Sequence, residues 1–312
     1  MRIAATCKHL QRDIDEYRHL FDEHDLELVV PLIPGQELAG QELIDAMRGV
    51  NGVIAGDDKF TAAVLDALPD LKAIAKWGIG LDGIDLDHAA ARNVAVTNTP
   101  GMFNDEVAEI ALGYLIASVR GIVATDRAVR RGEWRNPVGR SLGDKHVVVV
   151  GVGNIGLAFA RKALALGMRV SGVEPGAEAA AAAEEAGASI GLIDDLLPSA
   201  DILVITCPLN PATQGLIDAG RIGMLPQGAH LVNVGRGPVV VNQAVADALS
   251  SGRLAGAALD VFEEEPLPAS SSLRDFDNCI LGTHNSSNTL EACHRTHAAS
   301  IANLFASLGI QQ

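Results

Sequence analysis

Short aliphatic runs alternate with helix-patterned segments along almost the whole chain, and this alternation restricts the fold more than any other feature. The first half carries "RIAAT", "LELVV", "GVIAG", "LKAIAKWG" and "VAVTN"; the second carries "HVVVVGVG", "RVSGVE", "DILVITCP", "AHLVNVG", "GAALDVF" and "CILGTH". Runs this short and aliphatic, separated by helical patterns, predict strands buried on both faces in parallel sheets built from βαβ units. Between the halves, "NDEVAEIALGYLIASVRGIVATDRAVRRGEW" (104–134) keeps apolar positions near the helical period with no internal proline. That pattern predicts one long helix bridging two domains. The last segment, "LEACHRTHAASIANLFASLG", is again helical and is expected to return to the first domain, making it discontinuous. A chain of 312 residues with 48% hydrophobic residues is large enough for two cores.

Charge and cysteine usage exclude several functions. Lys and Arg number 24 against 39 Asp and Glu, a net charge of −15. Such an acidic chain gains nothing from counterion release, so no nucleic-acid partner is expected. No apolar run approaches the length of a membrane span, so no membrane partner is expected either. The N-terminus turns polar too soon for a signal-peptide core, and Cys7, Cys207, Cys279 and Cys293 show neither CxxC spacing nor disulfide density. Both features predict the cytoplasm. The cluster "CHRTH" (293–297) lies in a helical pattern without partner ligands, so no metal is expected.

One glycine motif has the context that gives it meaning. Gly151, Gly153 and Gly156 follow an apolar strand directly and open a helix, and the next strand ends in Glu174. The spacing is close to the roughly twenty residues expected of a dinucleotide-binding βαβ unit. Gly151 permits the tight turn, Gly153 lets the backbone reach a pyrophosphate, and Gly156 lets the helix pack against the sheet. The helix N-terminus adds unpaired N–H groups and a positive dipole end. Glu174 would accept from the adenosine ribose hydroxyls and repel a 2′-phosphate, which favours NAD over NADP.

Charged groups then gather at the ends of later strands. Arg236 follows "LVNV" between two glycines, Asp260 precedes the run Glu263–Glu264–Glu265, and His284 follows "CILGT". Ligands of open parallel sheets bind beyond the carboxyl ends of the strands. A guanidinium offers a carboxylate a planar fork that lysine lacks. A carboxylate beside a histidine favours its protonated form, which can deliver the proton that ketone reduction needs.

"GVGNIG", "CPLNPATQGLI", "NVGRGPVV", "GAALDVFEEEPLP" and "THNSSNTLEA", in this order, resemble the D-isomer-specific 2-hydroxyacid dehydrogenases, and "GIGLDGIDLDHAAARNVAVTNTPG" extends the resemblance into the first half. The resemblance implies an α/β chain of two Rossmann-like domains with parallel sheets. An NAD-binding domain (100–285) would be inserted into a discontinuous, flavodoxin-like substrate domain (1–99 and 286–312). It implies reversible hydride transfer between a D-2-hydroxy acid and its 2-keto acid, with NAD as cofactor, in a homodimer. It assigns substrate binding to Arg236, the acid partner to Glu265, the glutamate immediately before Pro266, and proton donation to His284. Asn154, Ile155, Cys207, Pro208, Thr213, Val234, Gly235, Arg236, Asp260 and His284 would contact the cofactor, and His284 the substrate as well. The loop Gly78–Ile79–Gly80 would bind the substrate carboxylate through its backbone N–H groups.

Departures from the family pattern concern the substrate. "HNSSN" puts Asn285, Ser286, Ser287 and Asn288 where many members have small apolar residues, and Phe103, followed by Asn104, stands where many have asparagine. Lys76 has two readings, a charge for a second acidic group on the substrate or a solvated surface lysine. A polar wall at Ser286 together with Lys76 favours 3-phosphoglycerate, glycerate or hydroxypyruvate over lactate. Two alternatives on the same scaffold stay open: an NAD(H)-binding regulator resembling the corepressors, without turnover, and a phosphite dehydrogenase.

Overall fold

The computed structural model describes residues 1–35 and 37–311. It divides into two compact units, one formed by Met1–Met102 with the segment from Asn288 onward, the other by Phe103–Ser287.

In the first unit, β1 (Arg2–Ala5), α1 (Lys8–Asp22), β2 (Glu27–Val29), α2 (Gly40–Ala46), β3 (Gly52–Ala55), α3 (Ala62–Asp66), β4 (Ala73–Lys76), α4 (Leu86–Ala91) and β5 (Ala95–Thr97) follow one another. The strands form one parallel sheet in the order β2-β1-β3-β4-β5. This is the flavodoxin-like order, with the winding direction reversing between β1 and β3.

The second unit opens with α5 (Asn104–Arg120) and α6 (Ile122–Arg130). Then come β6 (His146–Val150), α7 (Asn154–Ala165), β7 (Arg169–Val173), α8 (Ala177–Glu185), β8 (Ser189–Ile190) and α9 (Ile193–Leu196). It closes with β9 (Ile202–Ile205), α10 (Ala219–Met224), β10 (Ala229–Asn233), α11 (Asn242–Ser250), β11 (Leu254–Leu259) and β12 (Cys279–Leu281). Its parallel sheet has the order β12-β11-β10-β9-β6-β7-β8, so the reversal falls between β6 and β9. The chain then returns to the first unit as α12 (Leu290–Ser307), whose first turn is capped by Thr289 accepting from Ala292 N.

Strand alternation gives the first unit two apolar faces. Ile3, Ala5, Ile54 and Ala75 pack with Leu10 and Phe21 of α1 and with Ile301, Leu304 and Phe305 of α12. Ala4, Val53, Ala55 and Ile74 pack against Leu43, Val64 and Ala89 of α2, α3 and α4. In the second unit, Val148, Val150, Leu203, Ile205, Leu231 and Leu259 build a core with α10 and α11. The helices α5 and α7 lie against the same sheet, at β10–β11 and β6–β7.

The single bridging helix expected over 104–134 is instead two helices of the second unit. The helix α5 ends at Gly121, which takes a left-handed φ of +61°, and α6 departs at 63°. Glycine adopts that conformation without a Cβ penalty, and it ends the helical hydrogen-bond ladder. The two-residue strand β8 also had no counterpart in the sequence pattern. Among the described residues no single helix is long and apolar enough to cross a membrane. The bent pair α5–α6 passes that test by length and composition, but α5 buries Val107, Ala111, Leu115 and Val119 within its own unit.

Candidate active site

The glycine motif forms a cradle at the reversal of strand order. Gly151 follows β6, and Thr206 and Cys207 follow the neighbouring β9. A Cβ at Gly151 would lie 2.7 Å from Cys207 Cα, and one at Gly156 would lie 2.0 Å from Gly151 O. The protein itself therefore requires glycine at both positions. A Cβ at Gly153 would meet nothing within 4 Å. Gly153 and Asn154 are exposed at the N-terminus of α7, which has no side-chain cap. Open space in front of an uncapped helix N-terminus is what a diphosphate needs, so the cradle fits a dinucleotide. Ile155 is half-buried in the same turn.

Glu174 stands just beyond β7 beside the cradle, its carboxylate accepting from Val152 N at 3.1 Å and Gly176 N at 2.9 Å. Burial pushes the Cys207 thiol up to about 11, so it contributes a neutral surface. The segment from Pro208 folds on itself: Thr213 Oγ1 donates to Pro208 O at 2.7 Å and accepts from Asn210 N at 2.9 Å.

Three further strand ends carry the charged groups. Beyond β10, Val234 and Gly235 are buried and Arg236 is half-buried. Asn233 shapes this turn, accepting from Gly235 N at 3.0 Å and donating through Nδ2 to Arg236 O at 3.1 Å. Arg236 also donates from its guanidinium to Gly235 O at 3.0 Å. Beyond β11, the three glutamates separate. Glu263 accepts from Asn242 N at 2.8 Å, at the start of α11, whereas Glu265 reaches His284 beyond β12. The contact between Glu265 Oε2 and His284 Nδ1 is 2.7 Å, and Glu265 Oε1 accepts from Phe262 N at 2.9 Å. With both oxygens engaged, the carboxylate holds the imidazole in one orientation. His284 has φ +54°, and its backbone N–H donates to Asp260 O at 2.7 Å.

Asp260 is 1% exposed, and three protein donors reach its carboxylate. Tyr114 OH donates at 3.1 Å, Ser286 N at 3.0 Å, and Ser286 Oγ donates as well. Ser286 was expected to form a polar wall toward the substrate, but its hydroxyl is turned onto Asp260. Burial pushes the Tyr114 phenol upward, so it remains a donor. Tyr114 was missed from sequence, because nothing in a helical pattern marks one residue as the partner of an aspartate 146 positions away. Asn233 could have been found, since asparagine ending a strand before glycine is a turn signal.

The loop Gly78–Ile79–Gly80 lies in the first unit. Gly78 N donates to Thr99 Oγ1 at 3.0 Å, and Asn98 Nδ2 donates to Ile79 O at 2.8 Å. Among the described residues, the backbone N–H groups of Ile79 and Gly80 meet no protein acceptor. Lys76 is not the solvated surface lysine of one reading. It is 8% exposed, and Nζ donates to Asp57 Oδ1 at 3.1 Å and to Trp77 O at 2.9 Å. In the "CHRTH" cluster His297 is tied to protein partners, and no group of three metal-ligating side chains occurs among the described residues.

A parallel sheet with a glycine cradle at its strand-order reversal, and an imidazole–carboxylate pair at neighbouring strand ends, defines a dinucleotide-dependent oxidoreductase. The family model for the D-isomer specific 2-hydroxyacid dehydrogenase NAD binding domain matches residues 112–286. The chain belongs to that family, and its coenzyme is NAD. A glyoxylate reductase of Thermofilum pendens is 38% identical over 257 residues, covering 80% of this chain and 76% of the relative. The glyoxylate/hydroxypyruvate reductase B of Yersinia enterocolitica is 32% identical over 273 residues, covering 86% and 83%. A Thermus thermophilus protein of known crystal structure shares the fold with a TM-score of 0.86 at 31% identity, covering 100% of this chain and 98% of that one.

Proposed function

We propose that this NAD-dependent 2-hydroxyacid dehydrogenase acts on short 2-oxo acids, glyoxylate and hydroxypyruvate foremost, reducing the first to glycolate and the second to D-glycerate. The observation that carries the reading is the 2.7 Å contact between His284 Nδ1 and a Glu265 carboxylate that Phe262 N also holds. With Nδ1 committed, Nε2 is the ring nitrogen that delivers a proton to the substrate oxygen, and Glu265 offsets the positive charge of the protonated ring. Arg236 binds the substrate and polarises its carbonyl, stabilising the oxyanion as it forms. In the first unit, the backbone N–H groups of Ile79 and Gly80 are the donors suited to a carboxylate. Bound NADH supplies the hydride. Gly151, Gly153, Asn154, Ile155 and Gly156 take its diphosphate, and Cys207, Pro208, Thr213, Val234, Gly235 and Asp260 line its remaining length.

Short acids are favoured over 3-phosphoglycerate because the groups that argued for a larger polar substrate are otherwise engaged. Lys76 is held by Asp57, and the Ser286 hydroxyl by Asp260. The names of the two relatives point the same way. A homodimer is the assembly we favour, since α6 and the segment after it leave Ile122, Val129 and Val138 in water, apolar surface that a second copy would cover. Four buried free thiols fit the reducing cytoplasm.

Steady-state reduction of a panel of 2-oxo acids with NADH tests the substrate. In Arg236→Ala, turnover is expected to fall about 10²–10³-fold, the cost of removing one oxyanion-stabilising donor, with NADH affinity retained. Collapse of NADH affinity with turnover intact would sink the assignment. Glu174→Ala is expected to shift preference toward NADPH about tenfold or more, since it removes a charge that repels a 2′-phosphate. It also frees Val152 N and Gly176 N to donate to that phosphate. An unchanged ratio of kcat/KM for the two coenzymes would remove Glu174 from coenzyme choice.

A further inference from the structure

The helix α12 contributes more to the first unit than apolar packing. His297, fully buried on that helix, accepts through Nδ1 from the indole Nε1–H of Trp77 at 2.9 Å. Its Nε2 lies 3.1 Å from Asp13 Oδ2 on α1. Trp77 is the residue directly before the Gly78–Ile79–Gly80 loop and continues β4, its N–H donating to Ala55 O at 2.9 Å. The indole is 6% exposed and stacks on His9 with ring centroids 4.8 Å apart.

The polarity of this chain of bonds is fixed by chemistry. Indole can only donate, so His297 Nδ1 must be unprotonated and Nε2 must carry the hydrogen toward Asp13. Arg12 grips both oxygens of that carboxylate, Nε donating to Oδ1 at 2.8 Å and Nη2 to the shared Oδ2 at 2.6 Å, and, with its hydrogen bond as the leading cause, brings the carboxyl down to about 2. Burial, above all, lowers the His297 pKa, which keeps the ring neutral and the Nδ1 lone pair available. Arg12, Asp13, His297 and Trp77 thus form one oriented relay across α1, α12 and the end of β4. The same helix reaches the far side of the loop, where Asn303 Nδ2 donates to Asn98 O at 2.9 Å and Asn98 Nδ2 donates to Ile79 O at 2.8 Å.

We infer that His297, oriented by Asp13, is a positioning residue for the substrate. By holding the Trp77 indole it sets the backbone of the Gly78–Gly80 loop, and with it the direction of the N–H groups that grip the substrate carboxylate. This rests on the proposed role of that loop. A histidine that merely fills the core would destabilise the unit when replaced but would not single out substrate affinity.

The test uses the full chain. Trp77 and Trp134 are its two tryptophans, so ¹⁵N-tryptophan labelling gives two indole signals, assigned with Trp77→Phe. His297→Leu is expected to move the Trp77 indole signal and raise KM for glyoxylate about tenfold, the effect of misaiming one hydrogen bond to a charged group. NADH affinity should be unchanged and kcat much less affected than KM. His297→Gln, which can accept from the indole and donate to Asp13, should restore both the signal and KM. If the leucine variant does not fold, Trp77→Phe removes the donor from the other end and should raise KM likewise. A moved indole signal with an unchanged KM overturns the inference, as does His297→Gln restoring the signal but not KM. If the unmutated protein turned over no 2-oxo acid, the functional reading would fall and this inference with it. If turnover stands but His297→Leu keeps its KM, only the role of His297 falls.

Discussion

His284→Ala is expected to reduce glyoxylate turnover by about 10²–10⁴-fold, the range for a removed general acid, while NADH still binds. The imidazole is held at Nδ1 by Glu265 at 2.7 Å, so the alanine also leaves a half-buried carboxylate without its partner. Removing Glu265 as well should therefore cost much less than the product of the two single losses, because the pair acts as a unit. Rates of His284→Ala, Glu265→Ala and the double variant, with NADH affinity measured beside them, decide the matter. Multiplicative losses would mean that the two residues work independently, and a turnover rate near that of the unmutated protein in His284→Ala would end the acid–base assignment.

Gly237→Ala should be the most damaging single methyl group in the second unit. A Cβ there would sit 1.8 Å from Phe262 O and 1.9 Å from Phe262 C. These are backbone atoms, so no side-chain rotation relieves the overlap. Phe262 N is bound to Glu265, and Gly237 directly follows Arg236, so separating the two segments displaces the guanidinium and the acid partner together. Destabilisation of about 3 kcal/mol or more is expected, the upper range for overpacking, with turnover lost. Chemical denaturation measures the first and the NADH-linked assay the second. An unfolding midpoint equal to that of the unmutated protein would contradict the close approach of these two loops.

Some of this architecture could be read from the residues, for identifiable reasons. Runs such as "VVVV" (147–150) and "ILVI" (202–205) are buried on both faces, so burial demands the same aliphatic chemistry at every position and the signal is continuous. The glycine cradle was legible because Gly151 and Gly156 answer to local backbone contacts within one βαβ unit. Gly121 was not, since a glycine inside a helical pattern can continue a helix or end it, and composition is the same in both cases. Side-chain commitments over long separations were the least legible. Spacing gives no reason why Glu263 should turn to Asn242 while Glu265 turns to His284, and the expectation for Glu265 came from family resemblance rather than geometry. Lys76 and Ser286 show the same limit, because a charged or hydroxyl side chain beside a substrate loop looks identical in sequence whether it faces ligand or one of the protein's own aspartates.

The discontinuity of the first unit has a consequence for how the chain is made. The second unit is contiguous, so all of its strands have been synthesised once residue 287 has been added. The sheet of the first unit is synthesised earlier, yet Ile301, Leu304 and Phe305, which cover one of its faces beside Ile3, Ile54 and Ala75, come last. On the ribosome, therefore, one oily face of the earlier sheet must wait, covered only in part by α1, until α12 emerges behind the whole second unit.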